Sequence, residues 1–137
     1  MRGQSNPSGQ ALARVLVADD NADLRELVAH QIRKLGVEVL LACNGQEAMD
    51  LALMHDPQIV LMDLEMPVLN GLDAVAQLRD RGFTGLIVAF TGHEDGPRTE
   101  GALAKGCNAV LKKPLPAAKL RARMAEFLAA SASSAAA

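Results

Sequence analysis

A chain of 137 residues has room for one well-buried core and is too short for two ordinary domains. Half of the residues are hydrophobic and mostly aliphatic; Trp and Tyr do not occur, and Phe stands only at positions 83, 90 and 127. A formal charge of −2 without a basic run argues against direct nucleic-acid binding, and the scarcity of aromatics argues against a base-stacking platform. No apolar run approaches the ~20 residues of a membrane span, so no membrane insertion is expected. Cys43 and Cys107, far apart in different apolar stretches, are expected as reduced core residues of an intracellular protein.

Residues 1–13 lack the apolar stretch of a signal peptide, are rich in Gly, Ser, Asn, Gln and Pro, and are expected as a flexible tail. The folded unit is expected over 14–130. Its first strand is predicted at Arg14–Asp19. A helix follows with Leu24, Leu27, Val28, Ile32 and Leu35 on one face and Gly36 at its stop. The second strand is predicted at Val37–Ala42, before a helix that opens with Asn44 and carries Glu47 three residues on, in the manner of a capping box. The third strand, Gln58–Asp63, leads to a helix over 71–81 that stops at Gly82. Leu86–Thr91 forms the fourth strand. The fourth helix has Pro97 at a suitable first position, but Gly101 inside it costs about 1 kcal/mol relative to Ala. The fifth strand is predicted at Ala109–Lys112, and the last helix carries Leu120, Met124, Phe127 and Leu128 on one face. Residues 131–137, Ser and Ala only, are expected as a second flexible tail.

Five strand–helix units in alternation imply an α/β fold with a parallel sheet and right-handed crossovers. The near-continuous aliphatic character of the first, third and fourth strands fits a sheet covered on both faces. The leading topology is flavodoxin-like, a five-stranded sheet of order 2-1-3-4-5 with helices on both faces, in which ligands collect at the carboxyl ends of strands 1 and 3. Those ends carry Asp19-Asp20 after strand 1, Asp63 after strand 3, Thr91 after strand 4 and Lys112-Lys113 after strand 5. At ~5 Å and an effective dielectric of ~20, each pair of these carboxylates repels by roughly 3 kcal/mol. A hard divalent cation with few protein ligands, such as Mg²⁺, removes that cost. Mg²⁺, a lysine and a threonine hydroxyl around one carboxylate suit a phosphoryl group attacked in line by Asp63.

From about Val15 to Phe127 the chain resembles the receiver domains of bacterial response regulators and hybrid histidine kinases. The resemblance rests on motifs in order: Val17-Ala18-Asp19-Asp20-Asn21, Asn44-Gly45-Gln46-Glu47-Ala48, Leu61-Met62-Asp63-Leu64-Glu65-Met66-Pro67 with Asn70-Gly71, Phe90-Thr91-Gly92, Gly106-Cys107 and Lys113-Pro114. It implies that Asp63 is the phosphoacceptor and Asp20 a direct Mg²⁺ ligand, with Asp19 a ligand directly or through water. The backbone carbonyl of Glu65 completes the protein's share of the metal shell. Thr91 bonds a phosphoryl oxygen and couples it to a loop shift, and Lys113, favoured over Lys112 by the proline that follows it, pairs with the phosphoryl group. It further implies a cytoplasmic phosphorelay protein that is not an enzyme in the ordinary sense. Its donor is a histidine kinase or histidine phosphotransfer protein, and its target binds the face made by the fourth helix, fifth strand and fifth helix. The chain ends soon after the fifth helix, which fits a stand-alone receiver or one excised from a hybrid kinase. One position departs from the family: Val110 stands where a Tyr or Phe usually partners the switch threonine, so a muted or differently transmitted signal is expected.

Each residue alone has an ordinary account: Asp19-Asp20 as a turn and helix cap, Asp63 as a cap, Thr91 as a strand-end residue. The joint arrangement is what carries the reading. His93-Glu94 reads as loop polarity, although His93 and Glu65 would flank the phosphoryl site. His30 and His55 read as helix-surface residues, and Met49, Met54, Met62 and Met66 as packing. Two rivals are weighed. A haloacid-dehalogenase-like phosphohydrolase also forms an aspartyl phosphate with Mg²⁺, but its nucleophile follows the first strand. A flavodoxin-like nucleotide binder lacks support, because there is no glycine-rich phosphate loop and no aromatic pair to flank a flavin.

Overall fold

The computed structural model describes residues 13–66, 68–92 and 96–136. Strands β1 (Arg14–Ala18), β2 (Glu38–Ala42), β3 (Ile59–Met62), β4 (Leu86–Thr91) and β5 (Ala109–Lys112) alternate with helices α1 (Ala22–Arg33), α2 (Gly45–His55), α3 (Gly71–Asp80), α4 (Gly96–Lys105) and α5 (Ala117–Ala136). Asparagines start the first three helices. Asn21, Asn44 and Asn70 lie in extended backbone, and each side chain accepts from the amide three residues on, at Leu24, Glu47 and Asp73. Glu47 reaches back, as its spacing predicts, but accepts from the amide of Cys43 at 2.7 Å, one residue ahead of the cap.

All strand pairs are parallel, in the order β2-β1-β3-β4-β5 expected from the sequence. The alternation of side chains along each strand sorts the core into two layers. Leu16, Val60, Met62, Ile87 and Ala89 face α2, α3 and α4, where Met49, Val75 and Ala102 are buried. Val15, Val17, Ile59, Leu61, Val88, Phe90 and Leu111 face α1 and α5, against Val28, Ile32, Leu120 and Met124. Strand β3 is buried along its full length, which accounts for its unbroken aliphatic run.

Three expectations change. Cys43 is exposed just beyond β2, not in the core; Cys107 is buried, and burial pushes its thiol up to about 11. Met54 is 74% exposed on α2, whereas Met49, Met62 and Met66 are buried as expected. The last helix runs to Ala136, past the boundary drawn at Ala130, and the alanine content that looked loose is that of the strongest helix former. Residues 1–12 of the tail expected over 1–13, Pro67 and the His93-Glu94 pair lie outside the described residues, while Ala13 accepts from the Glu38 amide at 2.9 Å.

Two glycines set the loop between β3 and α3. A Cβ at Gly45 would lie 1.7 Å from the Leu69 carbonyl oxygen, and one at Gly71 would lie 2.3 Å from the Asp63 carbonyl oxygen. The starts of α2 and α3 therefore pack directly on this loop. Gly101, inside α4, has open space instead. We expect opposite signs from one substitution. Gly71→Ala lowers stability by at least ~1–3 kcal/mol through overpacking, while Gly101→Ala raises it by up to ~1 kcal/mol through helix propensity. Urea midpoints at unchanged m-value check both.

Candidate functional site

Of the residues expected at the site, Asp19, Asp63 and Lys113 stand one step past the ends of their strands, with their amides still in the ladder. Asp19 donates to the Ala42 carbonyl at 3.0 Å, Asp63 to Ala18 at 2.9 Å, and Lys113 to Thr91 at 2.8 Å. Their side chains therefore leave a rigid sheet edge and not a free loop. Asp19 is 4% exposed, Asp63 8% and Thr91 1%, whereas Asp20 is exposed at the rim.

The three acids converge: one ligand oxygen from each of Asp19, Asp20 and Asp63 lies within 4.8 Å of the others. Lys113 sits between two of them, its Nζ 3.0 Å from Asp19 Oδ2 and 3.5 Å from Asp63 Oδ2. Among the described residues that ammonium pairs with two of the three carboxylates, and the acids outnumber it. The donor set is all oxygen and close-spaced, which fits a hard divalent cation that keeps part of its water shell. Asp63 Oδ1 accepts from the Glu65 amide at 3.0 Å, and Asp19 Oδ1 from the Asn21 amide at 2.9 Å, so each acid is aimed by its own turn. Glu65 itself is exposed two residues past Asp63, and Lys112 is exposed on β5 opposite Thr91, as expected for a surface charge. The Lys113–Pro114 bond is cis. Among the described residues, an added Cβ at Gly92 would meet no heavy atom within 4 Å.

Thr91 and the carboxylates are thus gathered at one sheet edge, but on different parities. Thr91 continues the Ile87–Ala89 row on the α2–α3–α4 side, and Val110, paired with Ala89, packs on that side too. Two neighbours are not evident from the motifs. Arg25 Nη1 donates to the Asp19 carbonyl at 2.7 Å, and the Phe90 ring centroid lies 5.3 Å from Lys113 Nζ. The first could have been read from its place on the site-facing turn of α1; for the second, the alternation of β4 gives the face of Phe90 but not the course of the lysine side chain.

Burial holds the Asp63 carboxyl above the usual carboxylate range, with Asp19 and Asp20 adding to the effect; the Glu65 amide and Lys113 oppose it. A value raised in the folded state means that the fold favours the protonated acid. Stability from this group is full below the unfolded value of about 4 and is lost as pH rises through the folded value. Asp63→Asn should therefore raise the melting temperature in chelator by a few degrees at neutral pH. Calorimetry should find that gain disappearing below about pH 4, where the wild-type acid is already protonated.

Residues 15–125 match the response regulator receiver domain family. The chain is 31% identical over 134 residues to the osmosensing histidine protein kinase SLN1 of Saccharomyces cerevisiae, covering 93% of this chain and 11% of the kinase. It is 34% identical over 116 residues to the transcriptional regulatory protein PdtaR of Mycobacterium tuberculosis, covering 83% and 56% of the two chains. It thus spans about half the length of that regulator and a small part of the kinase. Among solved structures, chemotaxis protein CheY4 of Vibrio cholerae superposes with a TM-score of 0.80 at 27% identity, over 85% of this chain and 99% of that one. A CheY-like receiver domain from Methanospirillum hungatei shares the fold with a TM-score of 0.84 at 19% identity, over 90% and 99% of the two chains.

Proposed function

This chain belongs to the response regulator receiver domain family of two-component signalling, and we propose that Asp63 is its phosphoacceptor. The observation that carries the assignment is the salt-bridged position of Asp63, buried at the β3 edge and sharing Lys113 with Asp19. A haloacid-dehalogenase-like hydrolase would place its nucleophile after the first strand, and Asp63 follows β3.

Receiver domains take their phosphoryl group from histidine kinases or phosphotransfer proteins. In the reaction proposed here, an Asp63 carboxylate oxygen attacks the phosphorus of a phosphohistidine. The new O–P bond forms as the P–N bond breaks, and the bonding pair leaves with the imidazole nitrogen. Lys113 balances charge on the equatorial oxygens, and the Thr91 hydroxyl donates to one of them. Asp19, Asp20, Asp63 and the Glu65 carbonyl would hold Mg²⁺, which when bound neutralises the acids and the incoming phosphoryl oxygens. The Glu65 amide keeps Asp63 oriented for in-line attack. Hydrolysis of the acyl phosphate later returns the free acid, so the domain acts once per signal and not as a general phosphatase. The target protein binds the α4–β5–α5 face. The setting is cytoplasmic; among the described residues no helix is long and apolar enough to cross a membrane.

Incubation with acetyl phosphate and Mg²⁺ should add the mass of one phosphoryl group to the intact chain. Chelator or Asp63→Asn should abolish the gain, and Lys113→Ala should slow it by ~10²-fold, the scale of losing one group that stabilises developing charge. No gain in wild type, or an undiminished gain in Asp63→Asn, refutes the assignment.

A further inference from the structure

Strand β4 presents two neighbours of the acceptor on opposite faces of the sheet. Thr91 lies on the side of Val110, where no aromatic ring stands among the described residues of the buried cluster except Phe83. Phe90 lies on the other side, packed with Leu111 of β5 and with Leu120 and Met124 of α5. Its ring is 5.3 Å from the same ammonium that holds Asp19 and Asp63. Phe83 and Phe127 are engaged elsewhere, by Arg79 and Arg123. Phe90 and Lys113 together line a cleft of about 270 Å³ between α1 and the start of α5, with Leu24, Leu27, Gln31 and Leu120 as further walls.

We propose that the Lys113–Phe90 contact reports phosphorylation of Asp63 to α5 through this cleft, in place of an aromatic on β5. The proposal rests on Asp63 being the acceptor. A phosphoryl group carries about −1.5 to −2 charges, more than the carboxylate it caps, and it projects beyond that carboxylate. The ammonium follows the charge and leaves the face of the ring, which removes a cation–π contact. On its strand side Phe90 is close-packed and has nowhere to go, while on the cleft side there is space. The ring turns into the cleft and bears on Leu120. Helix α5 belongs to the face proposed for the target, so the signal reaches that face without a ring at Val110.

Incorporation of para-fluorophenylalanine puts a reporter on each of the three rings, and Phe83→Leu, Phe90→Leu and Phe127→Leu variants assign the resonances. With Mg²⁺ and beryllofluoride as the acyl-phosphate mimic, the Phe90 resonance should shift further than those of Phe83 and Phe127. In Phe90→Leu, acceptance read by intact mass should persist while the Leu120 methyl response to beryllofluoride shrinks. A Phe90 resonance that stays in place in a chain that does gain the phosphoryl mass overturns the relay alone, as does an undiminished Leu120 response in Phe90→Leu. Failure of the wild-type chain to gain that mass overturns the relay together with the acceptor assignment.

Discussion

The ammonium of Lys113 is the constraint around which this site is built. It lies within ion-pair distance of Asp19 and Asp63, and it is held there by a backbone bond from its own amide to the Thr91 carbonyl. Three acids at one sheet edge would repel one another by several kcal/mol without compensation. A single lysine offsets part of that repulsion and leaves the rest as an electrostatic demand for further positive charge. Burial, with Asp19 and Asp20 adding to it, holds the Asp63 carboxyl above its ordinary value, so a proton competes for the same position. A cation or a proton can meet that demand, and only the first leaves the Asp63 carboxylate ionised.

Such a site needs a frame that resists the strain of crowding like charges, and the sheet supplies it. Asp19, Asp63 and Lys113 each follow directly on a strand and remain hydrogen-bonded into the ladder, so their separations are set by strand register. Close packing of α2 and α3 on the loop after Asp63, possible only where Gly45 and Gly71 lack a side chain, keeps that loop in place from the opposite side. Arg79 performs a similar service at the far end of the sheet, donating to the carbonyls of Phe83, Gly85 and Gly106 and to the Asn108 side chain. The acidic end of the sheet is thus free to carry charge because the other contacts fix the geometry.

Much of this was legible in the sequence, for reasons particular to its residues. The aliphatic runs ending in Asp19, Asp63 and Thr91 predict both the buried strands and the edge where these residues meet, and strand order follows from the alternation of elements. Asn44 and Glu47 announce a helix start, although the partner of Glu47 shifts by one residue because the chain turns at Cys43. The exposure of Cys43 and Met54 was not legible, since apolar character places a residue in an element without saying which way it faces at the element's end. Helix α5 extends further than a Ser/Ala composition suggests, because alanine supports a helix as readily as it fills a tail. The Phe90–Lys113 contact joins residues distant in the chain and depends on strand parity together with the course of the lysine side chain, so no motif spacing announces it.

The most direct measurement of the central claim is chemical trapping of the phosphoryl group at its residue. Borohydride reduces an aspartyl phosphate to homoserine, and peptide mass spectrometry then locates the change. After phosphorylation in the presence of Mg²⁺, homoserine should be found at position 63 and should be missing when the phosphodonor is omitted. Homoserine at position 19 or 20, or phosphoryl carried on a histidine with position 63 unreduced, would contradict the account.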